Sequence, residues 1–145
     1  SWTHAFAPQD GAAVQIYNNE LAYDSDETED FGIFYLGITD LLDGDIYATI
    51  RGLTTYIGSL VARFNEGSGD SVILRQRTGY ASQWQIVTDD GTVNFNPGTV
   101  SIGDIIKLEV IGNTANAYFN GVLKGTNTTF LGAGKWGCYV KPTGL

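Results

Sequence analysis

The sequence has little of what disulfide-rich, metal-binding or catalytic proteins are built from. Its 145 residues include one cysteine, Cys138, and one histidine, His4. No disulfide can form within the chain, and one cysteine with one histidine cannot make a zinc site. Neither residue has support for a Ser-His-Asp or Cys-His arrangement, so the pattern argues against an enzyme. Because Cys138 alternates with Trp136 and Val140, we expect a buried, unreactive thiol.

Long apolar runs and N-terminal basic residues are also missing. No segment approaches the length needed to cross a bilayer, and Ser1 does not begin a signal-peptide pattern. Ser1 in place of an initiator methionine suggests a processed chain or a module of a longer polypeptide. Residues 1–50 hold ten acids and no lysine or arginine, whereas residues 51–145 hold six acids and all eight basic residues. With a net charge of −8, the chain is not expected to bind nucleic acid or to insert into a membrane.

Helical periodicity is absent, and short alternating segments separated by turns take its place. The clearest example runs from Asp104 to Gly125, where apolar and polar residues alternate and Asn120-Gly121 predicts a type I′ turn. About a dozen such segments predict an all-β fold, an antiparallel two-sheet β-sandwich of the jelly-roll type. We expect one domain over residues 1–145. Residues 1–30 could form an acidic N-terminal arm together with edge strands.

The same alternation assigns faces to the central strands, placing Trp84 and Trp136 in the core. All four arginines of the chain fall in the outward set, on three successive strands: Arg51, Arg63, Arg75 and Arg77. Arginine is suited to bidentate recognition of carboxylates such as those of uronic or sialic acids. The candidate glycan-binding residues are Tyr47, Arg51, Arg63, Arg75, Gln83 and Gln85. The alternative is cross-strand pairing of the arginines with acids on the same solvated face.

Acidic residues cluster in two segments that could bind calcium, which prefers carboxylate and carbonyl oxygens. The candidate calcium ligands in the loop DSDETED are Asp24, Asp26, Glu27 and Asp30. A second cluster consists of Asp40, Asp43 and Asp45. The loop does not match an EF-hand, and a solvated acidic surface is the alternative.

One pair of acids has the spacing of a glycosidase site. Glu27 and Glu29 lie two residues apart, and neighbours on one face of a strand could bring their carboxyl groups together as retaining hydrolysis requires. The flanking residues are serine, threonine and further acids, without the apolar alternation of a buried strand. The pattern therefore favours a solvated loop over a catalytic site.

Four segments between Asp45 and Val140 carry a resemblance to a known family. They are DIYATIRG followed by GSLVARFNE, SVILRQR followed by QWQIVTDDG, the meander DIIKLEVIGNTANAYFNGVLKG, and the last strand in TTFLGAGKWGCYV. In this order they resemble the concanavalin A-like lectin and glucanase jelly rolls, in particular the laminin-G-like modules. The resemblance implies a β-sandwich of the kind found in carbohydrate-binding parts of secreted enzymes and adhesins, and in bacteriophage tail, fibre and decoration proteins.

Together these observations favour a non-catalytic, lectin-like module that recognises a polysaccharide or glycan, in an extracellular setting or on a virion surface. An alternative is a bacteriophage decoration or tail-fibre module that contacts only other virion or multimodular protein subunits. A third alternative is a polysaccharide hydrolase or lyase that depends on Glu27. Calcium is the one cofactor that the acidic loop could hold.

Overall fold

A computed structural model describes residues 40–50, 56–77, 80 and 82–142, together with the backbone of four short strands before residue 40. No described segment forms a helix that could span a membrane. The strands, in chain order, are β1 (Trp2–His4), β2 (Val14–Tyr17), β3 (Glu20–Tyr23), β4 (Gly32–Leu36), β5 (Gly44–Thr49), β6 (Tyr56–Phe64), β7 (Val72–Gln76), β8 (Trp84–Thr88), β9 (Gly91–Phe95), β10 (Ile105–Ile111), β11 (Thr114–Phe119), β12 (Val122–Thr128) and β13 (Lys135–Pro142).

These strands form two antiparallel sheets packed face to face. The larger sheet has seven strands in the order β1-β4-β13-β6-β7-β8-β9, and the smaller sheet has four in the order β12-β11-β10-β5. Strands β2 and β3 pair with each other as a separate hairpin. The predicted all-β, antiparallel β-sandwich is confirmed.

The core between the sheets consists of residues that alternation places inward. Its buried members are Leu60, Ala62, Val72, Leu74, Trp84, Ile86, Ile106, Leu108, Val110, Ala115, Ala117, Phe119 and Trp136. The ring of Trp84 in the larger sheet meets the ring of Phe119 in the smaller sheet edge-on, with centroids 5.0 Å apart. The φ angles of Asn120 and Gly121 are 50° and 79°, as the predicted type I′ turn requires.

Two side chains of the last strand, β13, are buried as its alternation predicts. Trp136 is buried and donates a hydrogen bond from Nε1 to the carbonyl oxygen of Leu41 at 3.1 Å. Cys138 is also buried, and burial raises the pKa of its thiol to about 12. The thiol is therefore protonated at neutral pH and has the low reactivity expected of a buried cysteine.

One position in the larger sheet departs from strict alternation. Ala62 and Arg63 of β6 together oppose the single residue Trp136 of β13, which makes a β-bulge. Arg63 has a φ of 50°, in the left-handed region, and its side chain is 1% exposed. The expectation that Arg63 faces outward is wrong, because the extra residue turns the side chain toward the loops at one end of the sandwich.

Candidate functional site

A row of polar side chains crosses the face of the larger sheet that points away from the core. Arg75 on β7, Gln85 on β8 and Asn94 on β9 are in register on three neighbouring strands. Arg75 donates from Nε to Oε1 of Gln85 at 3.1 Å, and Gln85 donates from Nε2 to Oδ1 of Asn94 at 2.8 Å. Neutral amide groups thus hold the guanidinium of Arg75 in place.

A second, shorter row lies beside the first. Arg77 faces Gln83, to which it donates from its backbone N at 2.8 Å and from Nη1 to Oε1 at 2.7 Å. The guanidinium of Arg77 stacks 3.9 Å from the ring centroid of Tyr80, a residue that is 50% exposed. The arginine face, as we define it, consists of Arg75, Arg77, Tyr80, Gln83, Gln85 and Asn94.

Both arginines of this face keep side-chain donors that no described residue uses. Apart from the contacts with Gln83, Gln85 and Tyr80, no hydrogen bond or ion pair joins the side chain of Arg75 or Arg77 to the described part of the chain. Both terminal amino groups of Arg75 and the Nε and Nη2 groups of Arg77 are therefore unused. The two side chains are half-buried, so these donors can meet the acceptors of a ligand.

Three other cations of the described residues have carboxylate partners. Each pairs with an acid of segment 40–45: Arg63 with Asp43 at 3.1 Å, Lys107 with Asp45 at 3.9 Å, and Lys135 with Asp40 at 2.8 Å. The second acidic cluster, considered above for calcium, thus serves as counter-charge to protein cations. Among the residues with known placement, no three His, Cys, Asp or Glu side chains are grouped to hold a metal ion.

The first acidic cluster, in the loop DSDETED, lies outside the residues that the structure describes. Its candidate calcium ligands Asp24, Asp26, Glu27 and Asp30 lie outside the described residues, as does Arg51 among the candidate glycan ligands. Calcium binding in this loop and sugar binding by Arg51 stay predictions.

The buried guanidinium of Arg63 connects loops of both sheets. It donates from Nε to the carbonyl oxygen of Leu42 at 2.6 Å, from Nη1 to that of Leu131 at 2.9 Å, and from Nη2 to that of Gly112 at 2.7 Å. Nη2 also donates to Oδ1 of Asp43 at 3.1 Å. With its guanidinium used in this way and 1% exposed, Arg63 is not available to bind a sugar.

Tyr47 lies apart from the arginine face. It is 70% exposed on β5, in register with Lys107, on the outer face of the smaller sheet. The ammonium group of Lys107 lies 4.3 Å from the ring centroid of Tyr118. The Tyr118 hydroxyl donates to Glu109 at 3.2 Å, and burial, with the nearby carboxylate, raises the pKa of Tyr118. Tyr47 therefore belongs to a separate surface.

Among the six candidate glycan ligands, the structure brings together Arg75, Gln83 and Gln85. Sequence reasoning placed Arg77 in the outward set without making it a candidate ligand, and it missed Tyr80 and Asn94. Asn94 could have been found, because it alternates with apolar residues on a strand. Tyr80 lies in the turn between β7 and β8, where no periodic pattern distinguishes it.

A small cavity lies at the other end of the sandwich, where β7 begins. Its volume is about 230 Å³, and its lining includes Asp40, Asn65 and Lys135. Asp40 and Lys135 form an ion pair, while Oδ1 of Asn65 accepts hydrogen bonds from the backbone N of Gly67 and of Ser68. Because these lining groups bind one another, the arginine face is the stronger candidate site.

Comparison with known proteins identifies a similar fold but no matching sequence family. No family model matches the chain, and no curated protein matches it. Among solved structures, the chain is similar to the carbohydrate-binding module CBM66 from Bacillus subtilis, with a TM-score of 0.67. The match covers 97% of this chain and 88% of that chain, with 12% sequence identity. A likeness at this identity establishes the shared β-sandwich fold and leaves the site to be argued from its own residues.

Proposed function

We propose that this chain is a non-catalytic carbohydrate-recognition module that binds a polysaccharide or glycan through the arginine face. One observation carries the proposal: Arg75 and Arg77 lie on the outer face of a sheet, are oriented by neutral amides and keep donors that no described residue uses. Planar guanidinium and amide groups suit the many oxygen atoms of a sugar. The fold shared with a carbohydrate-binding module supports this proposal.

Tyr80 adds the aromatic surface that such a site needs. A pyranose ring presents an apolar face as well as hydroxyl groups, so sugar sites combine aromatic rings with hydrogen-bonding side chains. Tyr80 is half-exposed and lies at the rim of the polar rows, against Arg77. The arginine face can therefore contact both the apolar and the polar parts of a sugar.

The setting that we propose follows from the family resemblance. The module acts outside the cell or on a virion surface, where other virion or multimodular subunits are its neighbours. Calcium bound by the acidic loop at Asp24, Asp26, Glu27 and Asp30 would support this binding.

A glycan array probed with the 145-residue chain, with calcium and with chelator, tests the proposal. Arg75→Ala should weaken binding about tenfold or more, because it removes charge-assisted hydrogen bonds. Lys124→Ala is the matched control, since it removes the same charge from an exposed position on β12 and should leave binding unchanged. Loss of binding only in chelator would assign calcium a supporting role.

Tyr47→Ala distinguishes the two outer faces of the sandwich. If binding is kept in Arg75→Ala but lost in Tyr47→Ala, the glycan site lies on the smaller sheet and not on the arginine face. A blank array in both conditions would contradict carbohydrate recognition and favour a module that contacts only protein.

A further inference from the structure

The charges around the arginine face indicate which class of glycan it binds. Arg63, Lys107 and Lys135 each have a carboxylate partner, whereas Arg75 and Arg77 have none in the described part of the chain. Lys124 also has none but is exposed, so Arg75 and Arg77 are the half-buried cations of the described residues that lack a carboxylate partner, in a protein with a net charge of −8. Within the described residues, therefore, no carboxylate cancels the positive charge of the arginine face.

Glutamines occupy the positions from which carboxylates would neutralise these arginines. Gln83 and Gln85 lie opposite Arg77 and Arg75, and each accepts one N–H from its arginine through Oε1. A glutamate at either position would reach the same donor but would add a negative charge. The amides thus orient the guanidinium groups without cancelling their charge, which makes Gln83 and Gln85 positioning residues.

The row formed by Arg75, Gln85 and Asn94 continues on β6 with a hydroxyl group that has no hydrogen-bond partner. Ser59 on β6 is the residue in register with Arg75 on the side away from Gln85. Ser59 is 3% exposed, and its Oγ has no hydrogen-bond partner. Unsatisfied hydrogen-bonding capacity therefore extends from β6 to the arginines.

We infer that the arginine face takes a glycan that bears carboxylate groups, such as a polyuronide or a sialylated chain. The sugar carboxylate binds between the terminal amino groups of Arg75 and the Nε and Nη2 groups of Arg77. Side chains two residues apart on one face of a strand start about 7 Å from each other, a gap that one carboxylate can bridge. This inference rests on the proposed function, because it names the ligand class of the same site.

Matched pairs of polysaccharides test whether the arginine face binds a glycan that bears carboxylate groups. Polygalacturonate, hyaluronate and polysialic acid are each compared with their methyl-esterified forms, which keep the sugar backbone and lose the charge. At least one acid form should bind about tenfold or more tightly than its ester, and the difference should shrink as salt is added. Dextran, dextran sulfate and polyglutamate complete the set of probes.

Isosteric variants test the role of the glutamines. Gln83→Glu with Gln85→Glu supplies each arginine with an internal carboxylate, so binding of the acid glycan should fall about tenfold or more, while the melting temperature should not fall. Thr49→Glu, exposed on the smaller sheet, adds negative charge away from the site and should have no such effect.

The outcomes separate this inference from the proposed function. Equal binding of acids and esters, binding of dextran alone, or binding of dextran sulfate without any carboxylated chain would overturn the carboxylate assignment and leave carbohydrate recognition standing. Polyglutamate binding as tight as that of the acid glycans would overturn both, because charge without sugar would suffice. Failure of every glycan to bind would also overturn both.

Discussion

Arg63 and Arg75 lie on neighbouring strands and have the same predicted orientation, yet the folded protein uses them in opposite ways. Arg63 is buried and makes four hydrogen bonds, one of them to the carboxylate of Asp43. Arg75 is half-buried and makes one, to the neutral amide of Gln85. The difference comes from the bulge in β6, so backbone register decides whether an arginine joins loops or is open to a ligand.

The energetic demands on the two sites differ as well. A buried guanidinium must be surrounded by acceptors, because leaving its charge unpaired away from water costs several kcal/mol. The loops that contact Arg63 provide those acceptors. Arg75 is half-buried and keeps contact with water, so its charge can remain without a carboxylate partner among the described residues.

The largest expected effect is on stability, from Arg63→Met. This change leaves three loop carbonyls without a side-chain donor and removes one of the two donors to Asp43, so the free energy of unfolding should fall by about 3–5 kcal/mol. Arg75→Met should change it by about 0.5 kcal/mol or less, as for other surface positions. Urea denaturation followed by tryptophan fluorescence measures both. Equal losses in the two variants would remove the distinction between these arginines.

A smaller loss is expected where the backbone packs against the bulge. A Cβ at Gly134 would lie 2.5 Å from the carbonyl carbon of Arg63 and 2.7 Å from the oxygen of Phe64. Gly134→Ala must displace that backbone and should cost about 1–3 kcal/mol by the same assay. Gly132→Ala is the control, because a Cβ there meets nothing within 4 Å. A stable Gly134→Ala variant would show that the bulge moves freely.

Asp43→Asn tests how much of the Arg63 contact depends on charge. Oδ1 of Asp43 accepts from Nη2 of Arg63 and from the backbone N of Gly112 at 2.9 Å, but its side chain is 51% exposed. Solvent screening therefore limits the expected loss in the free energy of unfolding to roughly 1 kcal/mol. Asp90→Asn, exposed in the β8–β9 turn, should cost less. A loss as large as that of Arg63→Met would mean that the ion pair outweighs the carbonyl contacts.

Alternation alone predicts the sandwich and its core, because each strand buries every second residue whichever strands are its neighbours. The arginine face depends on which residues pair across neighbouring strands, and alternation does not predict that pairing. The turn between β8 and β9 is formed by Asp89 and Asp90, which leaves Thr88 opposite Gly91 and thereby brings Asn94 opposite Gln85. The bulge had no signal either, since the left-handed position holds Arg63 where glycine would be expected.

The smallest expected effect on stability is that of Gln85→Glu, which tests the contrast between Arg63 and Arg75 most directly. Gln85→Glu gives Arg75 the carboxylate partner that Arg63 has, and Asn94 can rotate its amide to donate to the new oxygen. The free energy of unfolding should rise by about 0.2–1 kcal/mol at low salt, and the gain should fade as salt is added. Thr49→Glu, measured in parallel, should show no gain. A glutamate that stabilises the fold while weakening binding of an acid glycan would indicate that glutamine serves the ligand. A glutamate that lowers stability would mean that Arg75 already has its charge compensated.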